Sequence, residues 1–318
     1  MSYYSRRGFL KLSAAVAAGT ATLGRGQLMW PLPSGPDLKF PTAPRERLAI
    51  ASWPFRAFME SPTNAWARDR KLPGMDLKDF PAMVVSKFNV HGMEPLDQHF
   101  RSTDLAYVHQ VREAAEKAGV RVVDLPCAVG ASFYDTDPAG RKKAVAGGRK
   151  WVDVASALGS PSIRAHIQGG HGLKPDANLA AESLKELAAY GAEHNIIINL
   201  ENDDNATEDP FMIVDVLHKV NSPYLRALPD FCNSMLTHDQ AFNNRAMEAM
   251  FPLAYNIAHV KDSEVGDKDK LYTVDVGKCF EIAKAAGYRG YFSMEWEGAG
   301  EPYAGTQKLI DESLKYLA

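Results

Sequence analysis

Short apolar runs recur along the chain. They are separated by longer stretches in which apolar residues return every three or four positions. The short runs fall at 48–52, 90–94, 120–125, 162–166, 196–201, 225–230, 255–261 and 290–295. Their length and continuous apolar character predict buried strands. The stretches between them predict amphipathic helices at 77–88, 102–118, 138–158, 175–194, 209–220, 240–250 and 276–286, with a last one at 306–317. Leu105, Val108, Val111 and Ala115 show the helical spacing. Gly119, Gly159, Asn195, Asn221 and Gly287 stand where these helices should stop, because Gly and Asn enter the left-handed conformation at least cost. Eight strand–helix units in strict alternation predict an α/β fold, the (β/α)8 TIM barrel. No Gly-x-Gly-x-x-Gly follows any of the runs, which removes the main mark of a dinucleotide-binding sheet. The loops 53–74 and 126–137 are long and should lie at the barrel mouth.

The chain has 318 residues, of which 46% are hydrophobic and 24% charged, enough for one large core spanning 48–318. A net charge of −3 with no dense basic run beyond the N-terminus argues against a nucleic-acid partner. Cys127, Cys232 and Cys279 are too few and too scattered for a disulfide framework or a thiolate zinc site.

The first residues read as a targeting segment. Ser5-Arg6-Arg7-Gly8-Phe9-Leu10-Lys11 has the twin-arginine pattern, and the apolar stretch 12–23 after it is too short and too rich in Ala and Gly to span a membrane. Residues 1–24 are therefore expected to be a twin-arginine signal peptide, with cleavage after Ala17 or Ala21. The export machinery becomes a partner, and the periplasm or another exported location the destination. Residues 25–47, with Pro31, Pro33, Pro36, Pro41 and Pro44, read as a linker.

The chemistry concentrates at strand ends. Glu201, Asp230, His259 and Glu295 sit at or near the ends of four successive strands. In a parallel barrel these ends share one mouth, so four side chains far apart in sequence would meet around one ion. Three carboxylates and one imidazole suit a hard or borderline divalent cation: Mn2+ first, then Mg2+, Co2+ or Fe2+, with Zn2+ less suited to so much oxygen. Without a cation, clustered carboxylates would repel one another and some would stay protonated.

The segments Asn199-Leu200-Glu201-Asn202, Pro229-Asp230-Phe231-Cys232-Asn233, His259-Val260-Lys261-Asp262 and Ser293-Met294-Glu295-Trp296-Glu297 resemble the sugar phosphate isomerase/epimerase family, the xylose-isomerase-like barrels. The resemblance spans 48–318 and is strongest in the second half. It implies that Glu201, Asp230, His259 and Glu295 bind one divalent metal and that Glu201 and Glu295 are also the catalytic acid/base pair. The chain departs from the family pattern at Asp203, where many members have His, and at Asn233, where many have a substrate-contacting His.

The activity implied is metal-dependent isomerisation or epimerisation through an enediolate, one glutamate removing a proton and the other returning it. If the intermediate instead expels a β-substituent, the same site is a lyase or hydratase acting on a keto-glycoside or inosose-like compound. An exported location favours an unphosphorylated sugar or keto-sugar as the small-molecule partner. The alternative role for Glu295 is metal binding alone. Arg164 and His166, two apart on one strand, either contact substrate or satisfy a buried carboxylate such as Glu94. Lys261 either contacts substrate or balances the acidic cluster, and Glu94 is a further substrate-binding candidate. Trp53 and Trp296 offer faces for sugar stacking, against the commoner fate of core packing. Asp203, Asp204, Glu208 and Asp209 read as a solvated loop and a helix start. His91, His99, His171 and His238 have no role in this scheme. A non-catalytic sugar-binding protein would lack proton transfer, and an endonuclease of this barrel type would need further histidines. Oligomerisation is left open.

Overall fold

Each apolar run becomes a parallel strand followed by a helix that covers it. The computed structural model describes Pro36, residues 38–66, 74–167, 173–204 and 207–318. Residues 1–24 and His171 therefore lie outside the described residues.

The strands are β1 (Leu48–Ala51), β2 (Gly92–Glu94), β3 (Arg121–Val122), β4 (Pro126–Cys127), β5 (Ser162–Ala165), β6 (Ile197–Glu201), β7 (Leu225–Leu228), β8 (Ile257–Val260), β9 (Ser263–Val265), β10 (Leu271–Thr273) and β11 (Tyr291–Met294). The helices are α1 (Phe80–Phe88), α2 (Leu105–Ala118), α3 (Pro138–Leu158), α4 (Ala177–His194), α5 (Pro210–Val220), α6 (Gln240–Met250), α7 (Val276–Ala285) and α8 (Pro302–Leu317). Parallel pairing runs β3-β2-β1-β11-β8 on one side and β4-β5-β6-β7 on the other. The predicted third run, 120–125, bridges the two halves as β3 and β4: the Val123 N–H donates to the Met93 carbonyl (3.0 Å) and the Arg164 N–H to that of Leu125 (3.0 Å). Parallel bridges Ala227–Ala254 and Asp230–His259 close the opposite seam. The result is the eightfold barrel.

The interruption in the third strand centres on Asp124, which is fully buried and takes hydrogen bonds from Ser162 Oγ and Asn199 Nδ2. Burial, with Glu94 nearby, pushes its carboxyl up to about 7. Strand interiors are filled with apolar side chains; Leu48, Ile50, Ile163, Ile198 and Leu225 are all inaccessible to solvent.

Helix stops fall where the sequence placed them. Gly119, Gly159, Asn195, Asn221 and Gly287 all have positive φ, as does Asn89 at the end of α1. Helix starts are set by acidic caps: Asp137, Asp176, Asp209, Asp239, Asp275 and Glu301 each accept backbone N–H bonds from the first turn. The cap at Glu301, followed by Pro302, starts α8 a turn earlier than the predicted 306. The stretch 38–47, expected as linker, packs where the strands begin. Arg47 Nη2 donates to the carbonyls of Tyr288 (3.2 Å) and Gly290 (3.2 Å), and the Phe40 ring meets Tyr255 and Tyr291 edge-on. The antiparallel hairpin β9–β10 rises from the mouth after β8 and was not predicted.

Asp176 accepts from the N–H groups of Asn178 (2.8 Å) and Leu179 (3.1 Å). Asp176→Ala should cost about 1 kcal/mol, read as a lower urea midpoint at unchanged slope.

Candidate metal centre

Four strand ends deliver the predicted quartet to one point. Glu201 closes β6, Asp230 follows β7, His259 lies in β8 and Glu295 follows β11; all four are buried. One ligand atom from each lies within 4.8 Å of those of the others. His259 Nδ1 is the hub, 2.7 Å from Glu201 Oε1, 3.2 Å from Glu295 Oε2 and 4.0 Å from Asp230 Oδ2. Its other nitrogen, Nε2, faces Glu94 Oε1 at 2.8 Å, and Ser293 Oγ donates to Glu94 Oε2 at 2.5 Å. A carboxylate behind an imidazole is the usual support for a metal-ligating histidine, fixing ring orientation and leaving the opposite nitrogen for the ion. Glu94, proposed as a substrate contact, is therefore a support beneath the site and does not reach the cavity.

Asp230 is held from both sides. Its Oδ1 accepts the N–H groups of Cys232 (2.8 Å) and Asn233 (2.7 Å), while its buried Oδ2 has no hydrogen-bond partner. Burial pushes Asp230 up to about 8, with Lys261 opposing the shift and Glu201 adding to it. His259 is raised well above its ordinary value, because Glu201, Glu295 and Glu94 outweigh the effect of burial. Burial works to raise Glu295, yet His259 and Lys261 hold its carboxyl below the usual range. The donor set fits a divalent cation: three carboxylates and an imidazole lie within reach of one ion, and two of the carboxylate oxygens, Glu201 Oε2 and Asp230 Oδ2, have no hydrogen-bond partner.

Above this centre lies a cavity of about 210 Å3, lined among others by Trp53, Gln98, Arg164, His166, Asp203, Lys261, Glu264 and Glu297. Every cation in its wall is paired. Arg164 Nε lies 3.0 Å from Glu201 Oε2 and Nη1 3.6 Å from Asp203. Lys261 Nζ lies 2.5 Å from Glu297, 3.3 Å from Glu295, 3.6 Å from Glu264 and 3.7 Å from Asp230, and it donates to Asn233 Oδ1 at 2.8 Å. Asn233 Nδ2 in turn donates to Glu201 Oε1 at 3.3 Å. Lys261 thus balances the acidic cluster. Arg164 and His166 satisfy Glu201, Asp203 and Glu208, and Glu94 is held elsewhere.

Glu208 was expected in a solvated loop, but it is buried. Its Oε1 accepts the Ile167 N–H at 2.7 Å, its Oε2 that of Asp204 at 3.3 Å, and both oxygens stand 3.1 Å from His166 Nδ1. Burial and Arg164 push His166 down, but Glu208 and Asp203 carry its pKa above the ordinary value. His166, Asp203 and Glu208 also come within ligand reach of one another. Arg164 contacts the same imidazole, and Glu208 is occupied by backbone donors, so this group forms a paired wall.

Trp53 lines the cavity and donates its indole N–H to Glu297 Oε1. Trp296, expected to stack on substrate, is absent from the cavity wall. Side chains alternate along the chain here, so Glu295 and Glu297 face inward while Trp296 turns to α8, where a Cβ on Gly305 would strike its ring at 2.2 Å. The same alternation was the available signal for Glu297, which the sequence reading passed over.

A family model described as Xylose isomerase-like TIM barrel matches residues 84–318, and the chain belongs to that family. None of the curated proteins matches the chain in sequence. Solved structures share the fold at low identity. D-allulose 3-epimerase from Methylomonas sp. superposes with a TM-score of 0.65 at 16% identity, covering 88% of this chain and 100% of that one. The apo form of 3-keto-D-glucoside 4-epimerase from E. coli gives 0.60 at 14% identity, covering 85% and 98%. The probable 3-DHS dehydratase of Bacillus anthracis gives 0.59 at 13% identity, covering 85% and 98%.

Metal uptake should displace a proton. Titrating the metal-free protein with Mn2+ at pH 7, in buffers of different ionisation enthalpy, should show release of about one proton or more per ion, because Asp230 is protonated below about 8 and His259 carries a proton as well. In the metal-free protein the raised Asp230 pKa adds stability that is fully present below about pH 4, the unfolded value, and is lost as pH rises through about 8. Its melting temperature should fall across that window, and saturating Mn2+ should remove the decline.

Proposed function

We propose that this chain is a divalent-metal-dependent isomerase or epimerase acting on an unphosphorylated sugar or keto-sugar. The observation that carries the reading is the convergence of Glu201, Asp230, His259 and Glu295 on one point at the floor of a polar cavity. Glu201, Asp230, His259 and Glu295 would hold a divalent cation, with Mn2+ the best match to the donors, and such an ion would supply Lewis-acid polarisation of a carbonyl. Glu295, held ionised by His259 and Lys261, is suited to take a proton from the carbon beside the carbonyl. Glu201, anchored by Arg164 and Asn233, is the partner that would return it. Asn233 bridges Glu201 to Lys261. The paired state of Arg164, His166 and Lys261 supports a neutral substrate, since a phosphate would have to break an existing ion pair to find a cation among the described wall residues.

The similar structures include two enzymes named as epimerases, of D-allulose and of a 3-keto-D-glucoside, and a probable dehydratase. The experiment must therefore separate proton return from elimination. Incubating the Mn2+-loaded protein in D2O with a panel of neutral ketoses and keto-glycosides should place one deuterium on carbon without loss of mass as water. Glu201→Gln and Glu295→Gln should each lower exchange by about a thousandfold or more, the scale of an acid/base group at the reacting carbon. A product lighter by one water would make the site a lyase, and no deuterium in any sugar would leave a binding protein. If Glu295→Gln retained both metal and full turnover, Glu295 would have no part in proton transfer.

Export is part of the same proposal, resting on Arg6 and Arg7. Replacing both by Lys in the full chain should leave the protein in the cytoplasmic fraction.

A further inference from the structure

Beside the metal cavity lies a second pocket of about 290 Å3 whose walls include Phe58, Trp66, Trp296 and Pro302, with Arg56 and Glu297 as polar members. Glu297 lines both spaces. Its Oε1 takes the indole N–H of Trp53 on the cavity side and lies 3.8 Å from Arg56 Nη2 on the pocket side. Arg56 is held over Trp53 at 4.3 Å and near Trp66 at 5.6 Å, and the two indoles meet edge-on at 5.6 Å. A run of aromatic and cationic groups thus leads out of the metal cavity along one wall. Trp66 remains 39% exposed.

We infer that this pocket is a second sugar subsite, holding a neutral glycosyl ring joined by an O-glycosidic bond to the sugar at the metal. The inference rests on reading the first cavity as a sugar site. Three observations support it. Both spaces lie at or below the lower end of the roughly 300–1,000 Å3 of ordinary ligand pockets, so each suits one ring and the pair suits two. The second pocket offers flat aromatic and proline surfaces for the C–H faces of a pyranose, whereas the first offers mostly carboxylates and cations. Its charged members, Arg56 and Glu297, face each other, which favours a neutral occupant.

The test compares one ketose with and without a second ring. The Mg2+-loaded full chain is titrated calorimetrically with D-fructose and with its O-glucosyl derivatives isomaltulose and turanose. At least one glucosyl-fructose should bind about tenfold more tightly than fructose, the gain of one well-stacked ring. Saturation-transfer NMR should then place the glucosyl ring against aromatic protons. Trp66→Ala removes one wall, and Ala57→Leu fills the pocket from another lining position. Each should bring the disaccharide to within about twofold of fructose. Equal affinities in the native protein, no binding by any of the three, or a preference that survives both variants would overturn the subsite. Deuterium exchange reports independently: a chain that prefers the disaccharide but exchanges no C–H keeps the subsite and loses the epimerase assignment.

Discussion

Three carboxylates share the buried space around one imidazole, and this crowding of like charge organises the mouth of the barrel. Each ionised group loses most of its hydration there, and each repels the others across a few ångströms of low-dielectric surroundings. Cations from the chain itself offset part of this charge: His259 stands between Glu94 and Glu201 with its pKa raised well above the ordinary value, and the buried Lys261 and Arg164 pair with Glu295 and Glu201. Asp230 is pushed up to about 8. A divalent ion would take over from the protons on His259 and Asp230 while leaving the flanking pairs intact.

The flanking pairs also decide the character of the cavity. A mouth with free cations would attract anions, but here the cations are already engaged by Glu201, Asp203, Glu208 and Glu297. What faces the open space is a set of hydrogen-bonding groups held in place by one another. Preorganisation of that kind suits a molecule recognised by its hydroxyls, because the wall need not rearrange when water leaves.

Much of this was legible in the sequence because the relevant signals are local. A strand-length apolar run followed by an amphipathic stretch and a Gly or Asn stop needs no knowledge of distant residues, and the eightfold count then implies one shared mouth. The four converging residues were legible for the same reason, each being the polar residue at the end of its own apolar run. Glu208 was not, because its burial depends on Ile167 and His166, more than forty positions away. Trp296 stays out of the metal cavity because the i, i+2 alternation from Glu295 assigns it to the other face. The early start of α8 was likewise written in Glu301 and Pro302. The hairpin β9–β10 left little trace, since its six residues are half-buried or exposed and show no sustained alternation.

Lys261 touches four carboxylates and the amide of Asn233 from a position almost closed to water. Removing a single member of such a cluster strands a buried charge, a loss of about 3–5 kcal/mol. Evolutionary drift at the barrel mouth is then constrained to concerted replacement: a lineage that trades Lys261 for a neutral residue must trade Glu297 or Glu264 with it. Divergence of specificity in this chain would proceed by exchanging whole charge-balanced sets, and the positions free to vary singly would be those farther out along the wall.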